Sequence, residues 1–187
     1  MRKILFLLLL ASLSAQSQPL VRATVSSAFD GDGCRVRFNP KEKVTSIRFR
    51  NIDAPECKGY SAKAQPYGNI SRDSVRAWIK GKDILLDTSK VNGKSRDVYG
   101  RLLAVPYFAA DTTSISFKIV DSGLAWYVPT RYGDREAKRL LANAMADAKD
   151  RQAGLWSSYI LPDGKTARTV TPETWRRRWS FRAFWKK

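Results

Sequence analysis

Apolar residues recur along the chain with a period of two residues in some stretches and of three to four in others. The alternating and β-branched runs predict strands near residues 20–29, 34–38, 44–52, 83–87 and 102–108. Gly-containing turns separate these short strands, and helical patterns enter late. This order predicts an α+β, mainly β fold, a five-stranded OB-fold barrel with about three helices.

Three stretches carry the helical pattern. They are residues 69–82, residues 114–123, which end on Gly123, and residues 134–154, with Asp134 as the predicted N-cap. The predicted core faces of the first and third helices consist of Ile70, Val75, Trp78, Ile79, Ala137, Leu140, Leu141, Ala144, Met145 and Ala148.

The N-terminal segment differs from the rest of the chain. Arg2 and Lys3 precede an unbroken apolar run at residues 4–10 and then small polar residues. This order is typical of a secretory signal peptide, and the run is much shorter than the roughly 20 residues of a membrane-spanning helix. We therefore expect cleavage near residues 15–17 and a secreted or periplasmic protein.

The predicted organisation is a signal peptide at residues 1–17, one domain at 20–157, and a linker with a basic, aromatic tail at 158–187. The tail could pack on the barrel as a helix. It could instead hold substrate through phosphate contacts and stacking, or lie on an anionic membrane or envelope surface. Its aromatic and basic residues are Trp175, Arg176, Arg177, Arg178, Trp179, Phe181, Arg182, Phe184, Trp185, Lys186 and Lys187.

Composition narrows the chemistry. The formal net charge of +17 favours an anionic partner such as nucleic acid, although solubility or adhesion to acidic surfaces would also explain it. The chain has no His, which excludes Ser-His-Asp and Cys-His nucleophilic sites and leaves zinc with too few good ligands. Hydrolysis would therefore depend on carboxylates, arginines and a hard metal ion.

The two cysteines, Cys34 and Cys57, each stand beside an acidic segment. In an oxidising compartment they could form one disulfide that joins the two segments. Alternatively, both could be free thiols packed in the interior.

Two acidic segments follow predicted strands. Asp30 and Asp32 stand in FDGDG, and Asp53 and Glu56 stand in NIDAPE. Asp-Gly pairs alone are typical of hairpin turns, and the second segment could simply end a strand. With arginines on the adjoining strand, the acids would instead supply oxygen ligands for a hard cation such as Ca²⁺. Phosphodiester hydrolysis requires such a cation, guanidinium groups, and a carboxylate that orients or deprotonates water.

Residues 25–157 resemble the staphylococcal nuclease (thermonuclease) family. Its signals stand here in order: an Asp-Gly-Asp turn at 30–32, an Arg followed by Asp-x-Pro-Glu at 48–56, and a Tyr-Gly-Arg turn at 99–101. The segment GLWS at 154–157 also resembles the family's end-of-domain signal. The resemblance implies a Ca²⁺-dependent endonuclease that cleaves DNA and/or RNA to products with a 3′-phosphate. We also expect the protein to be a monomer.

The resemblance also implies roles for the acids. The side chains of Asp32 and Asp53 and the backbone carbonyl of Ala54 would bind Ca²⁺. Ala54 stands where the best-known member of the family has Thr, so a carbonyl ligand is kept and a hydroxyl contact is lost. Glu56 would hold the attacking water, either as general base or as the group that orients it.

The same resemblance assigns the phosphate contacts. Arg48 and Arg101 would contact the scissile phosphate, and Tyr99 would bind a neighbouring phosphate. Val98 stands where the best-known member of the family has a phosphate-binding Lys, which makes the catalytic residues better matched than the nucleotide-binding ones.

Two alternatives accompany this interpretation. The segment Glu56-Cys57-Lys58 imitates the Glu-x-Lys motif of another metal-dependent nuclease class, but that motif lies on a strand, whereas Pro55 and Gly59 favour a loop here. The second alternative is a non-catalytic OB-fold module that binds nucleic acid through a basic groove and aromatic platforms. A pure binding module would not require the complete set of acids and arginines.

Overall fold

The computed structural model describes residues 20–57, 64–90, 94–129, 134–157, 159–160, 166–167 and 170–179. The predicted signal peptide, the residues around Lys58 and the end of the predicted tail lie outside these ranges.

A closed five-stranded barrel forms the centre of the fold, in the strand order β1-β2-β3-β6-β5. Its neighbouring strands pair antiparallel except β3 and β6, which are parallel. In chain order the strands are β1 (Val21–Asp30), β2 (Gly33–Arg37), β3 (Thr45–Phe49), β4 (Ile52–Asp53), β5 (Asp83–Asp87), β6 (Leu102–Phe108), β7 (Trp126–Tyr127), β8 (Tyr159–Ile160) and β9 (Thr166–Ala167). The barrel confirms the predicted fold class and the five predicted strands.

Four α-helices accompany the barrel in the part of the chain that the structure describes: α1 (Gly68–Ile79), α2 (Ile115–Asp121), α3 (Arg135–Asp150) and α4 (Pro172–Trp179). The first three lie where the sequence predicts them. The side chain of Asp134 accepts a 2.7 Å hydrogen bond from the backbone N–H of Ala137, which confirms the predicted N-cap. The fourth lies in the predicted tail.

The core fills the barrel and the space between it and the helices. Alternate residues of the strands point inward because successive side chains of a strand lie on opposite faces. The largest fully buried side chains include Val25, Val36, Ile47, Phe49, Ile84, Leu86, Val75, Ile79, Ile115, Ile119 and Val120. The burial of these apolar groups provides the main driving force for folding.

Two predicted core positions are wrong. The side chain of Ile70 is 53% exposed and that of Leu140 is 43% exposed. In α1 the buried stripe instead contains Gly68, Ser71, Val75 and Ile79. Ile70 follows Gly68 by two positions, which places it on nearly the opposite side of the helix. Small residues occupy the start of the stripe because backbone from other segments approaches closely there.

Strand register determines which functional residues meet. Gly33 pairs with Arg48 between β2 and β3, so Asp32 in the β1–β2 turn lies beside the end of β3. Arg48 pairs with Leu103 in the parallel β3–β6 ladder, which brings Arg101 at the start of β6 to the same end of the barrel. The short β4–β7 pair holds Asp53 opposite Trp126.

The described part of the predicted tail contacts the rest of the protein. Pro172 at the start of α4 is buried. The side-chain amide of Gln65 donates a 2.6 Å hydrogen bond to the carbonyl of Val170. Within the described ranges, no helix combines the length and apolar character needed to cross a membrane.

Both cysteines are buried free thiols, so the disulfide that the sequence allowed is not formed in this structure. Cys34 is an inward-facing residue of the barrel core, whereas the Cys57 thiol contacts the carbonyl of Phe29 at 3.5 Å. Burial raises the pKa of Cys34 to about 12 and, with the nearby charge of Asp30, that of Cys57 to about 11. Both thiols are therefore protonated near neutral pH.

Candidate active site

Two acidic segments meet at one guanidinium group. Arg48 forms an ion pair with Asp32 and donates a 2.8 Å hydrogen bond from Nη2 to Oδ1 of Asp53. The backbone N–H of Ala54 donates to Oδ2 of Asp32 at 2.7 Å. The residues predicted as metal ligands are therefore brought together from the β1–β2 turn and the segment after β3.

Glycine permits this close approach. A Cβ atom at Gly31 would collide with the side chains of Ser71 and Ala54. A Cβ atom at Gly68 would collide with the backbone carbonyl of Glu56. Both acidic loops can therefore pack against the first turn of α1 only because these two positions lack side chains.

Glu56 lies in a loop that Gln65 holds in place. The backbone N–H of Glu56 donates to Oε1 of Gln65 at 3.2 Å, and the backbone N–H of Gln65 donates to the Glu56 carbonyl at 2.8 Å. Both residues are buried. Gln65 is a positioning residue that the sequence motifs do not reveal, because it lies beyond the Asp-x-Pro-Glu segment.

Arg176 of α4 is a further residue of this cluster that sequence reasoning did not predict. Its Nη1 donates to Oε1 of Glu56 at 2.5 Å, and its Nη2 donates to Oδ2 of Asp53 at 3.1 Å. Burial lowers the pKa of Arg176, but the hydrogen bonds and charges of Asp53 and Glu56 outweigh this effect and raise it overall. The run of arginines in TWRRRW was the available signal, but nothing in it indicates the partner.

Asp97 organises the predicted phosphate-binding turn. Its Oδ1 accepts the backbone N–H groups of Tyr99 and Arg101, each at 2.9 Å, and its Oδ2 accepts Nε of Arg101 at 2.7 Å. The Arg101 guanidinium lies 5.5 Å from the centre of the Tyr99 ring. Tyr99 itself is 81% exposed, beside the exposed Val98. The motif located this turn correctly, whereas the role of Asp97 emerges from its contacts.

Electrostatic interactions connect the acids of the site with Arg48 and Arg101. Burial raises the pKa of Asp30 to about 6, and the Gly31 N–H opposes the rise. The neighbouring charge of Glu56 adds to it, whereas Arg48 and Arg101 partly offset it. Burial lowers the pKa of Arg48, with Asp53 acting in the opposite direction. Arg101 therefore lies close enough to act on both the acids and Arg48.

The carboxylates of this corner provide oxygen atoms, which are the ligands that a hard cation prefers. Within the described ranges, however, no three Asp, Glu or Cys side chains stand together as a group that could hold a metal ion, and guanidinium groups pair with the carboxylates instead. Oδ1 of Asp32 is nevertheless buried and has no hydrogen-bond partner among the described residues. A buried carboxylate oxygen without a hydrogen-bond partner is the kind of ligand that Ca²⁺ takes, so the chemistry of Asp32 fits a hard cation.

A cavity of about 360 Å³ adjoins the cluster. Its lining includes Arg48, Asp53 and Arg176 from the cluster. The remaining lining residues are Phe49, Arg50, Asn51, Ile52, Asp87, Leu103, Val105, Tyr107, Val128, Asp134 and Ala137. A ligand in this cavity would therefore contact Asp53, Arg48 and Arg176 of the cluster directly.

Comparison with known proteins agrees with the fold. Residues 46–158 match the family described as staphylococcal nuclease homologue. An uncharacterized endonuclease of Escherichia coli O157:H7 is 33% identical over 147 residues, a match that covers 79% of this chain and 80% of that protein. The SPbeta prophage-derived endonuclease YokF of Bacillus subtilis (strain 168) is 33% identical over 143 residues, covering 74% of this chain and 45% of YokF.

A barrel of this kind with an acid-and-arginine cluster at one end is the architecture of a nuclease. The chain belongs to the staphylococcal nuclease family.

Proposed function

We propose that the protein is an exported, Ca²⁺-dependent endonuclease that hydrolyses phosphodiester bonds of DNA and/or RNA and leaves 3′-phosphates. The observation that carries this proposal is the meeting of Asp32 and Asp53 on Arg48, with Glu56 joined to Asp53 through Arg176. The endonuclease names of the relatives support the reaction class.

Each residue has a role in this proposal. Asp32, Asp53 and the carbonyl of Ala54 would hold the metal ion, which when bound neutralises charge on a phosphate oxygen. Glu56 would orient or deprotonate the attacking water, and its buried loop keeps the carboxylate in one position.

The arginines of the site act on the negative charge of the phosphate. Arg48 and Arg101 would stabilise the negative charge that develops on the phosphorus oxygens, because guanidinium groups fixed by the protein need little reorganisation. Asp97 holds Arg101 and the backbone of Tyr99, so it would keep both groups directed at substrate. Tyr99 would bind a neighbouring phosphate through its exposed ring hydroxyl.

The domain limits and export belong to the same proposal. A signal peptide at residues 1–17 would direct a domain at 20–157 to the periplasm or outside the cell, with residues 158–187 as linker and tail. The surplus of positive charge would draw the polyanionic substrate to the site.

End-labelled DNA and RNA digested with Ca²⁺, with Mg²⁺, and with a chelator provide the test. We expect cleavage with Ca²⁺, none with the chelator, and 3′ ends that block polymerase extension until a phosphatase is added. Replacing Glu56 by Gln should lower kcat by about 100-fold or more, since it removes a carboxylate that acts on the water.

Glu136→Gln is the matched control, because Glu136 is an exposed acid on α3 whose partner is Arg139. It should leave kcat unchanged. Cleavage that persists in the chelator, or a Glu56→Gln enzyme as active as Glu136→Gln, would reject the mechanism. Nucleic-acid binding without any cleavage would favour the non-catalytic module.

A further inference from the structure

The C-terminal helix α4 reaches the two carboxylates with a single side chain. The Arg176 guanidinium donates to Glu56 at 2.5 Å and to Asp53 at 3.1 Å, and a second contact to Asp53 measures 3.5 Å. We name this arrangement the Arg176 bridge. It joins the acid assigned to the attacking water with an acid assigned to the metal.

Independent contacts hold the helix in this place. Pro172 is buried, and the Gln65 side-chain amide donates to the Val170 carbonyl just before the helix. The same Gln65 side chain accepts the N–H of Glu56 through its oxygen. The segment that carries the Arg176 bridge and the loop that carries Glu56 therefore share one hydrogen-bonding residue.

The neighbouring arginine of α4 does not take part. Arg177 pairs with Glu173 one turn earlier on the same helix, at 2.6 Å, and its side chain is mostly exposed. The contact to the acids is therefore a property of position 176 and not of the basic helix in general. Arg177 supplies a control of equal charge on the same helix.

The Arg176 bridge satisfies the carboxylates in the way that a cation would. Glu56 and Asp53 are largely shielded from water, and leaving such charges unpaired is costly. A guanidinium and a divalent ion would use the same oxygens and carry the same sign of charge. Their simultaneous presence on Asp53 and Glu56 is therefore disfavoured by repulsion.

We infer that Arg176 is a built-in competitor of the metal ion, so that Ca²⁺ binding breaks the Arg176 bridge and releases α4 from the site. This inference rests on the proposed function, which assigns Asp53 and Glu56. The apparent metal affinity would equal the intrinsic affinity multiplied by the fraction of molecules in which the bridge is open.

Isothermal titration of Ca²⁺ into the full chain, without nucleic acid, measures this competition. Arg176→Ala should bind Ca²⁺ at least about 5-fold more tightly than the wild type, within the usual range of coupling between two sites. Arg177→Ala should bind like the wild type. Arg176→Lys, which keeps the charge but loses the two-pronged donor, should lie between them.

Hydrogen exchange supplies a second readout that does not depend on activity. Ca²⁺ should increase amide exchange in residues 172–179 of the wild type, and should have less effect in Arg176→Ala, which has no bridge for the ion to break. Circular dichroism of each variant checks that the barrel is folded. If Arg176→Ala is unfolded, Arg176→Lys takes its place in the comparison.

The possible results distinguish the competition by Arg176 from the metal site itself. Equal Ca²⁺ affinity in the wild type and Arg176→Ala, or weaker affinity in Arg176→Ala, would overturn the competition while leaving the metal site intact. A loss of kcat at saturating Ca²⁺ would make Arg176 a substrate contact instead. Absence of Ca²⁺ binding in every chain would overturn the metal site and the competition together.

Discussion

Arg48 bonds two acids from different segments, Asp32 of the β1–β2 turn and Asp53 of β4, so replacing it removes more than a contact to substrate. Asp32 and Asp53 would lose their shared partner, and Asp32 is buried. Arg101 differs, because its contacts are to Asp97 of its own turn. Arg48 and Arg101, to which the family motif assigns the same phosphate contact, therefore have different structural roles.

At this scale we predict that Arg48→Ala and Arg101→Ala each lower kcat by about 100-fold or more, because each removes a charged contact to the transition state. Only Arg48→Ala should also lower the unfolding free energy measured in chelator. Arg22→Ala, at the opposite end of β1 and paired with Asp83, is the control and should change neither quantity. Near-normal kcat in either variant would reject that arginine's role.

At the scale of elements, the parallel β3–β6 pair decides the geometry of the site. The segments around Arg48 and Arg101 are far apart in sequence, and the ladder from Ile47 to Phe49 brings them side by side. Periodicity predicted both strands but not their pairing, because alternation describes which face of a strand is buried and not which strand lies next to it.

Helix α1 packs against the acidic segments, and two of its isoleucines differ in burial. Ile79 is fully buried, whereas Ile70 on the same helix is largely exposed. Ile79→Ala should lower the unfolding free energy by about 2–5 kcal/mol through lost burial and a cavity. Ile70→Ala should cost less than about 0.5 kcal/mol as a surface change.

Urea denaturation followed by circular dichroism measures both variants. Because the two replacements delete the same atoms from the same helix, helix propensity contributes similarly to each. Equal destabilisation would contradict the burial pattern of α1 and would support the sequence-based prediction that Ile70 lies on the core face of the helix.

At the scale of the whole molecule, the net charge of +17 and the position of α4 act together. Arg177 and Arg178 are exposed on α4, the same helix whose Arg176 reaches the acids. This places basic groups at the rim of the proposed site, where a polyanion would approach.

We therefore predict that replacing Arg177 and Arg178 together by Ala makes nucleic-acid binding less dependent on salt. Each lost phosphate contact reduces the slope of log Kobs against log salt by about 0.9 for duplex DNA, or about 0.7 for a single strand. Fluorescence anisotropy in chelator, which prevents cleavage, measures the slope.

Arg22→Ala with Lys82→Ala is the matched double variant, because both residues are exposed and neither lines the cavity beside the cluster. It removes the same charge from a surface away from the site. If both double variants lower the slope equally, the tail has no particular role and only total charge matters.

The sequence by itself determined the barrel strands, the first three helices, and the acid, arginine and tyrosine motifs, because these depend on local periodicity and on residue types at short spacing. Only the tertiary structure decided that Ile70 faces solvent, that Cys34 and Cys57 are free, and that Arg176 bonds Asp53 and Glu56. These outcomes depend on which surfaces meet across long sequence separations. No local pattern encodes that an arginine 120 residues after Glu56 supplies the cation for Glu56 and Asp53.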